Sequence, residues 1–102
     1  MLESQFKKKI QTEMKKGGWV FIQLVAGTVP VGFPDTLCLS PTGEHFFVEW
    51  KKSKNAKKQP LQDYWNNKLN DMGHDAWFVY PENIEEWRVH VQTVSDARRL
   101  SS

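Results

Sequence analysis

The sequence predicts a mixed α/β layered domain, in the order helix, strand, strand, strand, helix, strand, helix. Three observations predict it. Leu2, Phe6, Ile10 and Met14 recur at a spacing near four. Short runs rich in aromatic and β-branched residues are bounded by glycine, proline and polar turns. A second helical period, through Leu61, Tyr64, Trp65, Leu69 and Met72, separates the third such run from the fourth.

Taken in order, residues 2–16 place one apolar stripe on a helix that Gly17 and Gly18 stop. WVFIQLVA (19–26) reads as the first strand, and GTVPVGFP as a loop able to carry function. DTLCLS (35–40) and HFFVEWK (45–51) read as strands joined through the turn PTGE, which makes them a hairpin. The lysine-rich connection KSKNAKK leads to Pro60, suited to the first turn of a helix that Gly73 caps. AWFVY (76–80) is the last strand, and Pro81-Glu82-Asn83 opens a final helix whose tail, residues 95–102, is expected to fray.

A chain of 102 residues fits one domain, and 39% hydrophobic residues with five tryptophans supply a core, which argues against disorder. Cys38 has no partner for a disulfide and sits in an apolar run as core filler, in keeping with a reducing cytoplasm. No run approaches the roughly 18 apolar residues of a membrane span, and the lysine-rich start lacks the apolar core of a secretory signal. Charge is divided unevenly. Residues 1–58 hold ten lysines and five acids, whereas 59–102 hold four basic residues and seven acids. A basic half attracts polyanions, although solvated surface lysines are the plainer account of any one of them.

The chemistry concentrates around the hairpin. Alternation along HFFVEWK puts Phe47, Glu49 and Lys51 on one face and Phe46, Val48 and Trp50 on the other. Asp35 starts the partner strand, and an antiparallel return across the turn brings it near Glu49 and Lys51. Two carboxylates and a lysine suit phosphodiester hydrolysis, in which hard oxygen ligands hold a divalent cation and an ammonium organises the nucleophile. An ordinary cross-strand ion pair is the competing account, and the three residues alone are a weak motif.

Their setting resembles the PD-(D/E)XK nuclease superfamily, and within it the VRR-NUC family, nearly end to end. The matching features are an early helix glutamate, the strand start Gly32-Phe33-Pro34-Asp35, the strand FFVEWK ending in Glu-x-Lys, and the helix QPLQDYWNNKLNDMG with its Gln62, Leu69 and Gly73 spacing. The arginines that give the family its name have no match around WVFIQL. The resemblance implies a restriction-endonuclease-like core, with a central mixed four-stranded sheet flanked by helices, in a stand-alone, phage-like form. It implies a Mg²⁺-dependent DNA endonuclease, with Mn²⁺ able to substitute, selective for branched DNA such as a Holliday junction. Asp35 and Glu49 would bind the metal together with the backbone carbonyl of Trp50, Lys51 would position or activate the water, and Gln62 rather than Gln59 would support the site. The first-helix acid falls on Glu3 or Glu13, with Glu3 preferred.

Lys7, Lys8, Lys52, Lys54, Lys57 and Lys58 are expected to flank the DNA backbone, in binding that weakens steeply with salt. Trp50, facing away from the site on a short chain, suggests an apolar area covered by a second copy, hence a homodimer cutting both strands of a junction. His45, His74 and His90 lack zinc-ligand spacing and read as surface or packing residues. A catalytically silent DNA-binding or inhibitor module on the same fold is the rival class, as is a nonspecific nuclease. Retention of Asp35, Glu49 and Lys51 together favours an enzyme over the silent module.

Overall fold

The structure is a computed structural model and describes residues 1–101, the side chain of Ser101 excepted. Helix α1 (Glu3–Lys15) buries Phe6 and Ile10, one turn apart, against the sheet. Leu2 stands before the helix and is 64% exposed, so the predicted stripe begins at Phe6. Gly18, at φ +93°, releases the chain into β1 (Val20–Gln23), a conformation that costs a glycine nothing. A loop then leads to β2 (Thr36–Leu39) and, after a turn, to β3 (His45–Trp50).

Strands β1, β2 and β3 form an antiparallel meander. Helix α2 (Pro60–Asp71) crosses over, and β4 (Ala76–Val79) pairs parallel to β3, giving the order β1-β2-β3-β4. Parallel neighbours need such a crossover because their ends lie on opposite edges. The sheet is therefore mixed, as the resemblance implied. A 3₁₀ turn (Pro81–Asn83) precedes helix α3 (Ile84–Ser101).

One face of the sheet carries the core. Thr36, Cys38, Phe46, Val48 and Trp50 point inward and pack under Phe6 and Ile10 of α1 and Trp87 and Val91 of α3. Trp50 lies edge-on to Phe6 and to Trp87, with ring centroids 6.1 and 6.0 Å apart. Trp50 is thus fully buried, and it leaves no outward apolar area for a second copy: α1 and α3 cover the face it occupies. The other face receives α2 over β3 and β4, through Phe33, Phe47 and Trp65. Residues 95–101 are helical rather than frayed, since Ser95 hydrogen-bonds Thr42 at 2.7 Å and Arg98 stands 3.3 Å from Glu44. Those partners lie on the β2–β3 turn, too distant in sequence for local pattern to reveal. Among the described residues no helix is long and apolar enough to cross a membrane.

Candidate active site

The site grows from the register of β2 against β3. Thr36 pairs with Val48, so continuing the ladder by one residue sets Asp35 opposite Glu49, and by two sets Pro34 opposite Trp50. The amides of Phe47 and Lys51 donate to carbonyls of the β4 side, so the peptide groups of the even residues, Trp50 included, face the β2 side. Opposite Trp50 that side offers only a proline, which has no N–H to give. The Pro-Asp start of β2 thereby leaves the Trp50 carbonyl without its ladder donor, next to Glu49 and within reach of the Asp35 charge that acts on Glu49.

Glu49 is 9% exposed, and among the described residues no group hydrogen-bonds its carboxylate. Burial, and then the negative charge of Asp35, push its pKa up to about 7, against the pull of Lys51. Asp35 is also raised, by burial, although a hydrogen bond from Thr36 and the charge of Lys7 oppose the shift. Its two oxygens are both engaged. Thr36 Oγ1 donates to Oδ1 at 2.7 Å, and Lys7 Nζ stands 3.7 Å from Oδ2. The indole of Trp50 in turn donates to Thr36 Oγ1 at 3.0 Å, which ties the acid to the core.

Lys51 is 7% exposed, and its ammonium is aimed by two acceptors: Gln62 Oε1 at 2.8 Å and the Lys57 carbonyl at 3.3 Å. Gln62 is the third residue of α2 and also accepts from the Gln59 amide at 3.2 Å, so one side chain closes the helix start and holds the lysine. Gln59 itself is exposed. The loop that delivers Asp35 is seated by Gly32, at φ +85°, which packs so closely on α2 that a Cβ would lie 2.5 Å from that of Leu61.

The two first-helix acids part company. Glu3 is exposed, but its charge reaches Glu49. Glu13 forms an ion pair with Arg88 of α3 at 2.6 Å, on another side of the molecule. Of the six lysines expected on DNA, Lys8, Lys52, Lys54 and Lys57 are exposed. Lys58 lies 4.3 Å above the Phe78 ring and 3.9 Å from Asp63, while Lys7 points into the site. His45 and His74 are exposed, and His90 hydrogen-bonds Asp75 at 2.6 Å. Cys38 is buried, with its thiol pushed far above the ordinary range by burial, so it is no nucleophile. Sequence reasoning missed Thr36 and the inward role of Lys7; a threonine following the aspartate was the one available signal.

Among the described residues no three His, Cys, Asp or Glu side chains are grouped to clasp a metal. Two carboxylates and a main-chain carbonyl nevertheless fit Mg²⁺, which keeps several waters and needs few protein ligands. A buried carboxylate without a hydrogen-bond donor is relieved either by a proton, as its raised pKa reflects, or by a cation.

Comparison with solved structures finds a chain described as a VRR_NUC domain, similar at a TM-score of 0.66 and 28% identity, over 76% of this chain and 82% of that one. No protein-family model and no curated protein matches. With the mixed sheet, the Pro-Asp strand start and the Glu-x-Lys strand end in one site, this similarity supports assigning the chain to the VRR-NUC family of PD-(D/E)XK nucleases, as a nuclease domain of restriction-endonuclease-like fold.

Proposed function

We propose that the domain is a Mg²⁺-dependent DNA endonuclease that hydrolyses phosphodiesters in branched DNA, with four-way junctions as its target. The observation that carries this reading is Glu49, a buried carboxylate without a hydrogen-bond donor among the described residues, acted on by the charges of both Asp35 and Lys51. Asp35, Glu49 and the Trp50 carbonyl would hold the divalent ion, and Glu3 would add charge at the rim. Such an ion polarises the phosphate and lowers the pKa of a water. Lys51, fixed by Gln62, orients the attacking water and balances the charge that develops on the phosphate. Gln62 acts through Lys51 and is a positioning residue. Lys8, Lys52, Lys54 and Lys57 are free to meet backbone phosphates, with Lys58 beside them, and with no base-reading motif the target is a shape rather than a sequence.

A homodimer, with two sites for the two strands of a junction, belongs to this reading. Its ground is the edge strand β1 rather than Trp50, since Val20 and Ile22 are 54% and 42% exposed on a strand without an outer neighbour. Sedimentation that finds only monomer at micromolar concentration, with and without junction DNA, refutes it. The activity is tested with labelled four-way, flapped and linear DNA in Mg²⁺ or Mn²⁺. Junction cutting is lost in Asp35→Asn and Lys51→Ala, while Asp35→Asn still binds DNA, because removing a negative charge does not weaken attraction for phosphate. Equal cutting by either variant refutes the mechanism, and equal rates on linear duplex make the enzyme nonspecific.

A further inference from the structure

We infer that Lys7 is a built-in counter-cation of the carboxylate pair, holding the place of the divalent ion on Asp35 until the ion displaces it. The inference rests on the metal-binding reading above and adds to it a residue expected, from sequence, to contact DNA.

Lys7 differs from its neighbours in where α1 points it. Phe6 is buried beneath the helix, and Lys7 follows it round toward the open ends of β1 and β2, whereas Lys8 and Lys9 face solvent. Its ammonium donates to Gln23 Oε1 on β1 and lies 3.7 Å from Asp35 Oδ2. Gln23 pairs with Thr36, and the Leu24 amide donates to the Asp35 carbonyl, so the strand that holds Lys7 also holds the acid. Thr36 already donates to Asp35 Oδ1. The oxygen left for a metal is therefore the one that Lys7 faces.

Lys7 also attracts the charge of Glu49. In the absence of an ion the Asp35 and Glu49 carboxylates repel each other, and one ammonium drawn toward both relieves that repulsion. An ion bound to Asp35 Oδ2 would set a second positive centre beside the ammonium, and like charges that close repel. Lys7 then has to leave. Its long flexible stem permits this without moving α1, and the route outward leads to the surface of Lys8, where it can meet a phosphate. The residue thus discourages loose occupation of the site by cations and becomes available for DNA when an ion is seated.

The test is calorimetric titration with Mn²⁺ in the absence of DNA at pH 8.5, where Glu49, raised to about 7, is ionised. Lys7→Met binds Mn²⁺ more tightly, by roughly fivefold, the upper scale of one ion pair near the surface. Lys7→Arg, which keeps the charge, stays near the parent affinity, and so does Lys9→Met, which removes an equal charge from the outward face. Unchanged or weaker binding in Lys7→Met overturns the inference, as does equal tightening in Lys9→Met. Asp35→Asn distinguishes the two levels: it abolishes Mn²⁺ binding if the metal reading holds, and undiminished binding refutes that reading and this inference with it. Tryptophan fluorescence of each variant verifies the fold, and because Lys7→Met is expected to gain a property, misfolding cannot imitate the result.

Discussion

Replacing Glu49 by glutamine should make the metal-free protein more stable while abolishing its chemistry. In the folded chain the Glu49 pKa lies at about 7 against an ordinary 4.5, chiefly because burial penalises the charged form. Each pH unit of difference corresponds to 1.36 kcal/mol, so the full penalty is roughly 3 kcal/mol, and solvent at the open end of the sheet reduces it to about 2 kcal/mol. A pKa raised in the folded state favours folding below the unfolded value and loses that benefit as pH rises through the folded one. The metal-free parent should therefore weaken progressively between about pH 4.5 and 8, and Glu49→Gln should not. The assay is urea unfolding in EDTA at pH 5 and pH 8, with melting temperature as a second measure. At pH 8 the variant should gain about 2 kcal/mol, or roughly 10 °C for a domain of this size, and at pH 5 the gain should shrink to about 0.5 kcal/mol. Mn²⁺ at a hundred times its Kd should return about 2.7 kcal/mol to the parent and nothing to the variant. No gain at pH 8, or an equal gain at both pH values, would refute the account of Glu49 as a strained carboxylate kept for a cation.

Gln62→Ala should reduce cutting by about ten- to a hundredfold with little effect on DNA affinity, since it frees the Lys51 ammonium from its aim; rates and binding isotherms measured together test this. Thr36→Val should cost about 1–3 kcal/mol, seen in denaturant melts, because it leaves the buried Trp50 indole without an acceptor; it should also weaken Mn²⁺ binding by removing the donor to Asp35. Gly32→Ala should lower stability by about 3 kcal/mol or misplace the Asp35 loop, because it forces a Cβ onto Leu61 at positive φ; circular dichroism melts and cutting rates report the two outcomes. Cutting by the parent should rise with pH through about 7, as the Glu49 proton ceases to compete with the ion, and a flat profile between pH 6 and 8 would contradict this.

Much of the site was legible because β3 obeys a period of two. Side chains alternate along HFFVEWK even though both faces are buried from Val48 to Lys51, so Glu49 and Lys51 share a face, and the short turn brings Asp35 back toward them. Gln62 was legible through the family resemblance, with Pro60 marking the first turn of the helix that carries it. Other features depend on contacts between segments far apart in sequence. Lys7 looked like any lysine in KKK until α1 was laid over β1, and only its angle on that helix turns it toward Asp35. Trp50 looked available for a partner because nothing local says that α1 and α3 both cover its face. The last helix outran its expected end for the same reason, its anchors Thr42 and Glu44 being half a chain away. Glu3 and Glu13 became distinguishable once Arg88 was seen to hold the latter.

The link from the Trp50 indole through Thr36 to Asp35 bears on how this nuclease would fail when heated. Many enzymes lose activity well below their melting temperature because the reacting groups sit on segments that loosen early. Here the acid is tied to a side chain at the centre of the aromatic core, and Glu49 and Lys51 flank that same side chain on one strand. Thermal inactivation and loss of tertiary structure should then coincide, leaving no folded but idle intermediate. On the proposed metal-dependent reading, a cell that needs such a cutter silenced would have to unfold it, mask its basic surface or withhold the ion.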